Sequence, residues 1–419
     1  MEPDQQARYL VVSNAYPRAA DLYRYQFLHS RVLAYLEVGL RCDVFVVDHR
    51  ATSAQTSSYD FEGVTVLTGS SQAFGDHIAG TAYAMLLVHF PMPYMLDAVH
   101  TRAPDTSTAL WLHGYETEAW WRRWFNHLEG ERLPRSVLQR NRDDATGRIR
   151  ALCSFLDQHP DTTVVTVSDW FRVHCIEPDL GRALPAAAII PNFVDSTLFH
   201  PVPRSLEAQR RVLVLRPFTH AKYAGRDIVE AIHEVTHEDP SVGFTVCGDG
   251  PQFDDAVRSL APLANVDIRR GFLSRSEVSE LHHGHGVFLN PSWWDSQGVS
   301  TGEAMASGLA VVTTDRAAIP EFVEHEVSGL LSPAGDPAQL ARHVLRLVTD
   351  DELRARLSVA ARARVVAQCG FDATISREVD LIRGRRPASS SGTVDWQARY
   401  GELAQEFSDV LCRLGRDDP

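Results

Sequence analysis

Lysine is almost missing from this chain. Of its 41 basic side chains only Lys222 is a lysine and the rest are arginine. GC-rich codon bias accounts for the shortage but not for the one position that kept lysine. An excess of positive charge is missing too: the net charge is −13. That argues against wholesale coating of nucleic acid or an anionic membrane, because phosphate binding relies on cationic side chains. Any phosphate site must be local. Paired cysteines are absent: Cys42, Cys153, Cys175, Cys247, Cys369 and Cys412 are scattered, with no CxxC spacing. A reduced, cytoplasmic chain without structural zinc is expected. Long apolar runs are absent as well. The longest, from Tyr83 to Leu96, is broken by His89, Pro91 and Pro93 and is too short to span a bilayer. The polar start, Met1-Glu-Pro-Asp, runs straight into a strand pattern, so no signal peptide is expected. The expectation is a soluble protein, at most peripheral to a membrane.

What is present is a repeated α/β pattern. Residues 8 to 14 form a continuous apolar run, a helix-like stretch follows from Tyr23 to Gly39, and a second apolar run spans Cys42 to Val47. Strands that are apolar throughout belong to parallel sheets covered on both faces. The pattern restarts at Arg211 with Val-Leu-Val-Leu, a helix from about Asp227 to Val235, and Phe244-Thr-Val-Cys. Two Rossmann-like, doubly wound domains in tandem are the economical reading for 419 residues. Their seam is placed at the proline-bearing stretch Pro201 to Gln209, giving domains 1–200 and 201–382. Residues 383–419 then form a linker and a C-terminal amphipathic helix, with Trp396, Tyr400, Leu403, Phe407 and Leu411 on one stripe.

The second half carries the denser chemistry. Arg216 ends a strand and Lys222 lies six residues on, so two cations converge where open α/β sheets bind ligands. Gly248 and Gly250 end the next strand, where they let backbone approach a ligand or simply let the chain turn. Val287-Phe-Leu-Asn-Pro-Ser opens into a loop holding Asp295, Gln297, Gly298 and Val299, and Glu303 enters a helix. A glycine-containing loop that feeds a helix offers unpaired N–H groups to sugar or diphosphate oxygens.

In that order and spacing the second half resembles the retaining family 4 glycosyltransferases of the GT-B fold, in which two Rossmann-like domains face each other across a cleft. The resemblance rests on Ile190-Pro-Asn-Phe-Val-Asp with Phe199 and Pro201, Arg216 with Lys222, Gly248-Asp-Gly-Pro, Asn290-Pro-Ser and Asp295 to Glu303. It continues through Glu303-Ala-Met-Ala-Ser-Gly, Ile319-Pro-Glu and Gly335-Asp-Pro. By that resemblance Arg216 and Lys222 bind the donor diphosphate and Glu303 accepts hydrogen bonds from the ribose. Asp295 lies against the donor sugar, and Gly248 and the N–H groups of Gln297, Gly298 and Val299 contact the donor. Family members usually carry glutamate where Asp295 stands, which leaves its role open. In the first half, Trp111-Leu-His-Gly puts His113 at the family's strand-end histidine. The loop after the first strand lacks the family's paired glycines, and Arg18 and Arg24 are candidates to replace those contacts.

From Arg122 to Arg150 there are eight arginines against four acids, just downstream of Trp111 and overlapping Trp120, Trp121 and Trp124. Trp120, Trp121 and Arg122, with Arg18, are candidates for an acceptor that is a phosphate-bearing glycan or a lipid-linked one. A solvated helix with interior tryptophans is the other reading. The resemblance implies a nucleotide-diphosphate sugar as donor and no cofactor: no metal and no pyridoxal phosphate. It implies domain closure over the cleft and a place in cell-envelope polysaccharide, glycoconjugate or natural-product biosynthesis. The rivals are a pyridoxal-dependent phosphorylase-like enzyme, a nucleotide-sugar epimerase on the same fold, and a nucleotide-sugar-binding protein that has lost transfer. Donor base, donor sugar, acceptor and oligomeric state stay open.

Overall fold

A computed structural model describes residues 7–127 and 135–384. The apolar stripe from Trp396 to Leu411 lies outside them. The chain divides into two compact units: the first takes the residues before Pro191 together with those from Ile375 on, and the second is Pro191–Thr374. The seam expected at 200/201 therefore falls ten residues inside the second unit. Residues 375–382, expected in the second domain, belong to the first.

The first unit holds strands β1 (Arg8–Ser13), β2 (Arg41–Val47), β3 (Ser57–Phe61), β4 (Val64–Gly69), β5 (Met85–His89), β6 (Thr108–Leu112), β7 (Thr163–Thr166) and β8 (Ala188–Ile189). They form one sheet in the order β3-β4-β2-β1-β5-β6-β7-β8. Every pairing is parallel except the β3–β4 hairpin, whose two turn residues Glu62 and Gly63 both have positive φ (43° and 82°). Leu10, Val11 and Val12, Leu86 to Val88 and Leu110 to Leu112 are fully buried. That continuous apolarity is what a sheet covered on both faces demands.

The second unit repeats the plan with β9 (Arg211–Pro217), β10 (Gly243–Asp249), β11 (Val266–Arg270), β12 (Val287–Leu289), β13 (Ala310–Thr314) and β14 (Leu330–Ser332). Their order is β11-β10-β9-β12-β13-β14, all parallel. Val212, Val214, Val246, Val287 and Val312 form its core with Ile228, Ile232, Leu340 and Leu347 from the covering helices. In both sheets the winding reverses once, between β1 and β5 and between β9 and β12. Ligand crevices of doubly wound sheets open at the carboxyl ends of such strand pairs.

The last described helix, Ile375–Ile382, is tied to the rest of the first unit by charge. Glu378 accepts from Arg31 Nε at 2.9 and 3.1 Å, from the Tyr35 hydroxyl at 2.6 Å and from Trp111 Nε1 at 3.2 Å. Both side chains of the ion pair are fully buried. Removing one member of such a pair leaves an uncompensated buried charge, whereas replacing both with apolar groups does not. Glu378→Ala is expected to lower the urea stability of the first unit by about 3 to 5 kcal/mol. The double replacement Arg31→Met with Glu378→Leu is expected to cost clearly less.

Candidate functional site

In the second unit the switch between β9 and β12 is closed by Arg216. Its buried guanidinium donates through Nη2 to the carbonyl oxygens of Asn290, at 2.9 Å, and Pro291. Lys222 sits in the short 3₁₀ turn Ala221–Tyr223 that follows β9. Its carbonyl accepts from Trp293 N at 2.8 Å and Ser292 Oγ at 3.1 Å, which ties the loop after β9 to the loop after β12. Both cations flank one ring: Arg216 Cζ lies 5.4 Å and Lys222 Nζ 4.6 Å from the Tyr223 centroid. The two cations expected to act together thus lie beside the same ring. Gly248 is opposite Arg216 in the β9–β10 register. A Cβ there would collide with the Arg216 carbonyl and come within 2.9 Å of the Phe218 ring. Its lack of side chain is a packing requirement of the strand pair.

The loop after β12 is pre-shaped by its own acid. Asp295 Oδ1 accepts from the N–H groups of Gln297 at 3.2 Å and Gly298 at 3.0 Å. Two of the three N–H groups expected to face a ligand are therefore turned onto Asp295. That of Val299, at the start of the helix Val299–Ala306, is not. Aspartate suits this turn because its short side chain reaches the backbone two and three residues on. Gly298 takes φ 82°, which a side chain would disfavour. Gln297 is buried, and its amide pairs with the Asn192 peptide. Oε1 accepts from Asn192 N at 2.6 Å and Nε2 donates to Asn192 O at 3.0 Å, with Cys369 Sγ at 3.5 Å. Asn290 Nδ2 adds bonds to Ser300 Oγ at 3.1 Å and Thr301 Oγ1 at 2.7 Å on the same helix.

Glu303 points from that helix with no hydrogen bond to its carboxylate among the described residues. The area it exposes is modest, and the protein crowding it dominates. Desolvation pushes its carboxyl up to about 7, Arg275 opposing the shift and Asp195 adding to it. The helix residue expected to be an ordinary exposed glutamate if non-functional is instead a half-buried acid without a partner. Perturbed carboxyls of this kind concentrate at functional sites.

In the first unit His113 follows β6 and is buried. Its Nε2 lies 3.0 Å from His89 Nδ1 at the end of β5, and its ring stacks on Phe90 at 4.3 Å. Burial, helped by the nearby Arg31 guanidinium, holds both rings well below the ordinary histidine value, so both are neutral. The turn after His113 is shaped by Glu116, whose Oε1 accepts from the N–H groups of His113 and, at 3.1 Å, Gly114. Burial pushes that carboxyl up to about 7 against those backbone bonds. In the loop after β1, where the glycine pair is lacking, Tyr16 is buried and its hydroxyl bonds His29 Nδ1 at 2.8 Å. His29 Nε2 in turn meets Glu62 at 3.1 Å. Arg18 is exposed, and Arg24 pairs with Asp21 at 2.5 Å.

The arginine-rich segment divides between arginines paired with acids and exposed ones. Arg122 is buried and forms a two-pronged pair with Asp179 at 2.7 and 2.8 Å while lying over the Trp121 ring. One edge of its fork, Nε and Nη2, is thus engaged by Asp179, whereas it was expected to be a candidate for the acceptor. Arg123 pairs with Glu118 and Arg148 with Asp144. Trp120 and Trp121 are half-buried, and Arg140, Arg142 and Arg150 are exposed on the helix Arg135–Gln158.

Sequence reasoning missed Asp195, Arg275, the Gln297 side chain, Glu116 and His89. Only the Asp-Ser-Gln-Gly pattern at 295–298, a turn signature, gave local notice of what the loop does.

Two Rossmann-like units, each with its crevice at a strand switch, define the GT-B class. Residues 209–350 match the family model of the glycosyl transferases group 1. The second unit is therefore a glycosyl transferases group 1 domain. Similar proteins include the amylovoran biosynthesis glycosyltransferase AmsK of Erwinia amylovora, 31% identical over 38% of this chain and 41% of that protein. Another is the N-acetyl-alpha-D-glucosaminyl L-malate synthase of Bacillus anthracis, 27% identical over 41% of this chain and 44% of that protein. The matches span less than half the length of these relatives. Among solved structures, sucrose-phosphate synthase from Thermosynechococcus elongatus has a TM-score of 0.67 at 16% identity, covering 90% of this chain and 99% of that one. Anabaena HepE in complex with UDP and glucose has a TM-score of 0.65 at 14% identity, covering 90% and 100%. At these identities the structures speak for the fold.

Because the folded Glu116 carboxyl titrates above its ordinary value, the native protein binds an extra proton between about pH 4.5 and 7 and loses stability as pH rises through that window. Glu116→Gln keeps the acceptor oxygen and removes the titration. The stability difference between variant and wild type, read by urea denaturation, is expected to shift in favour of the variant by roughly 2 to 3 kcal/mol from pH 4 to pH 8.

Proposed function

We propose that this chain is a retaining glycosyltransferase that moves a sugar from a nucleotide-diphosphate sugar to a hydroxyl of a sugar-containing acceptor. The reading rests on one observation: Arg216 and Lys222 both lie beside the Tyr223 ring at the β9–β12 switch, where Arg216 donates to the Asn290 and Pro291 carbonyls and the Lys222 carbonyl accepts from Trp293 N and Ser292 Oγ. Two fixed cations at that point suit a diphosphate.

In the proposed reaction the bond between the anomeric carbon and the diphosphate oxygen breaks, and the acceptor oxygen bonds that carbon from the same face. The acceptor proton passes to the departing phosphate, so no enzymic carboxylate base is required. Arg216 and Lys222 offset the charge that grows on the leaving diphosphate, an electrostatic effect that counts most where it is pre-organised. Glu303 accepts from the ribose hydroxyls in its ionised form. Asp295 holds the loop that faces the donor, with its second oxygen left for the sugar. In the first unit neutral His113 is the candidate donor-sugar contact. Arg18, Trp120 and Trp121 remain acceptor candidates, which favours a sugar acceptor with a phosphate or lipid-linked group. The product class is a polysaccharide or glycoconjugate, made in the cytoplasm where nucleotide sugars are available. Two side-chain cations neutralise the diphosphate here, so the transfer is proposed to need neither metal nor other cofactor.

Lys222→Ala removes a charge-assisted contact worth about 1.5 to 3 kcal/mol, so transfer is expected to fall roughly 10-fold to 150-fold. Lys222→Arg keeps the charge but not the reach of the compact ammonium, and a substantial loss is expected there too. Near-normal transfer by both variants, in an assay of nucleoside diphosphate release, would remove the diphosphate assignment. Excess chelator is expected to leave the wild-type rate unchanged; activity lost to chelator and restored by magnesium or manganese contradicts the metal-free reaction.

A further inference from the structure

Around the ends of β1, β5 and β6 in the first unit, aromatic rings lie one upon another. Tyr25 stacks on Phe90 at 4.3 Å, Phe90 on His113 at 4.3 Å, and His89 on Trp111 at 4.7 Å. One hydrogen bond joins the two runs, between His89 Nδ1 and His113 Nε2 at 3.0 Å, with the ring planes 24° apart. Tyr25 and Phe90 hold left-handed backbone, φ 50° and 53°, which bulky side chains rarely adopt. Strain of this kind persists only where the surroundings over-determine it, and it gathers at functional sites. The stack fixes both imidazole rings, yet each keeps one buried nitrogen with no hydrogen-bond partner among the described residues: Nε2 of His89 and Nδ1 of His113.

Both rings are neutral, so each carries one ring N–H, and their shared bond can be made in two ways. If His113 donates, His89 must carry its own proton on Nε2. That N–H has no acceptor among the described residues, and His89 is wholly enclosed, so no ligand can supply one. If His89 donates, its Nε2 keeps only a lone pair, and the unmatched N–H is Nδ1 of His113, a ring that stays 7% exposed. A buried donor without an acceptor calls for a reason, and only the second arrangement puts it on a ring that reaches the surface. We propose that His89 is a positioning residue: it donates from Nδ1 to His113 Nε2 and so locks His113 in the Nδ1–H tautomer, a fixed hydrogen-bond donor to a ligand oxygen. Reading that oxygen as one of a nucleotide sugar rests on the function proposed above; the tautomer does not.

The test is a proton–nitrogen NMR correlation of the ligand-free full chain with isotope-labelled histidine, the His113 signals being assigned by their loss in His113→Gln. Wild-type His113 is expected to carry its proton on Nδ1 and to leave Nε2 bare. In His89→Leu the proton is expected to move wholly or partly to Nε2. In His89→Asn, whose side-chain amide can donate from the place of the imidazole Nδ1, it is expected to return to Nδ1. A proton on Nε2 in the wild type, or Nδ1–H unchanged in His89→Leu, overturns the proposal. Turnover is then measured with uridine, guanosine and adenosine diphosphate sugars. It is expected to fall roughly 3-fold to 10-fold in His89→Leu and to recover in His89→Asn. Equal turnover in all three proteins overturns the ligand role of His113 Nδ1 while the tautomer assignment stands. A wild-type chain that consumes none of these sugars overturns the function proposed above, and the NMR result still decides the tautomer.

Discussion

A parallel sheet wound outward from its middle must send the chain away from two adjacent strands in opposite directions, and the gap this leaves between β9 and β12 governs the second unit. No ladder hydrogen bond can close a gap at the strand ends, so a side chain long enough to cross it must. Arg216 does so, giving its N–H groups to carbonyl oxygens on the far side. Once that crossing is fixed, the loops after both strands are within bonding distance of each other. The Lys222 carbonyl, the Trp293 amide and the Ser292 hydroxyl then join them. The cation that braces the fold is also one of the two proposed to hold the diphosphate, so in that proposal fold and site share the same charge.

Three buried acids show how strongly context decides what a carboxylate does. Glu378 is fully enclosed but meets Arg31, Tyr35 and Trp111, which satisfy it and make it a structural tie. Glu116 has only backbone N–H groups, too few to offset burial, and its carboxyl is pushed up to about 7. Glu303 has not even those bonds among the described residues, and burial pushes its carboxyl up to about 7 as well. Direct hydrogen bonds to a charged group contribute about 1.5 to 3 kcal/mol each. Their number among the described residues, from four at Glu378 to none at Glu303, orders the three from a fully satisfied carboxylate to an unsatisfied one.

The sheets were legible in the sequence because their information is local. Runs such as Leu10-Val-Val and Val212-Leu-Val announce strands covered on both faces, and all are buried where expected. The cations at positions 216 and 222 were legible for a related reason: they follow a recognisable strand end. What escaped notice is carried by partners far apart in the chain. Arg31 and Glu378 are separated by 347 positions, and Gln297 reaches an amide 105 positions away. Neither pairing leaves any periodicity or motif at either end. The domain seam was misjudged for the same reason, since the polar, proline-bearing stretch at 201–209 is a local signal whereas membership of a unit is decided by packing. The pairing of Arg122 with Asp179, 57 positions away, escaped notice in the same way.

The second unit is continuous in the chain while the first is interrupted by it. During synthesis, at roughly 5 to 20 residues per second, all of Pro191–Thr374 emerges before Glu378 does. For that interval, on the order of ten seconds or more, Arg31 lies in a half-finished sheet with its counter-charge still inside the ribosome. The Arg31–Glu378 pair therefore cannot form in the nascent first unit until the second unit has been synthesised. Completing this buried pair is therefore a late event of synthesis, although Arg31 is translated early.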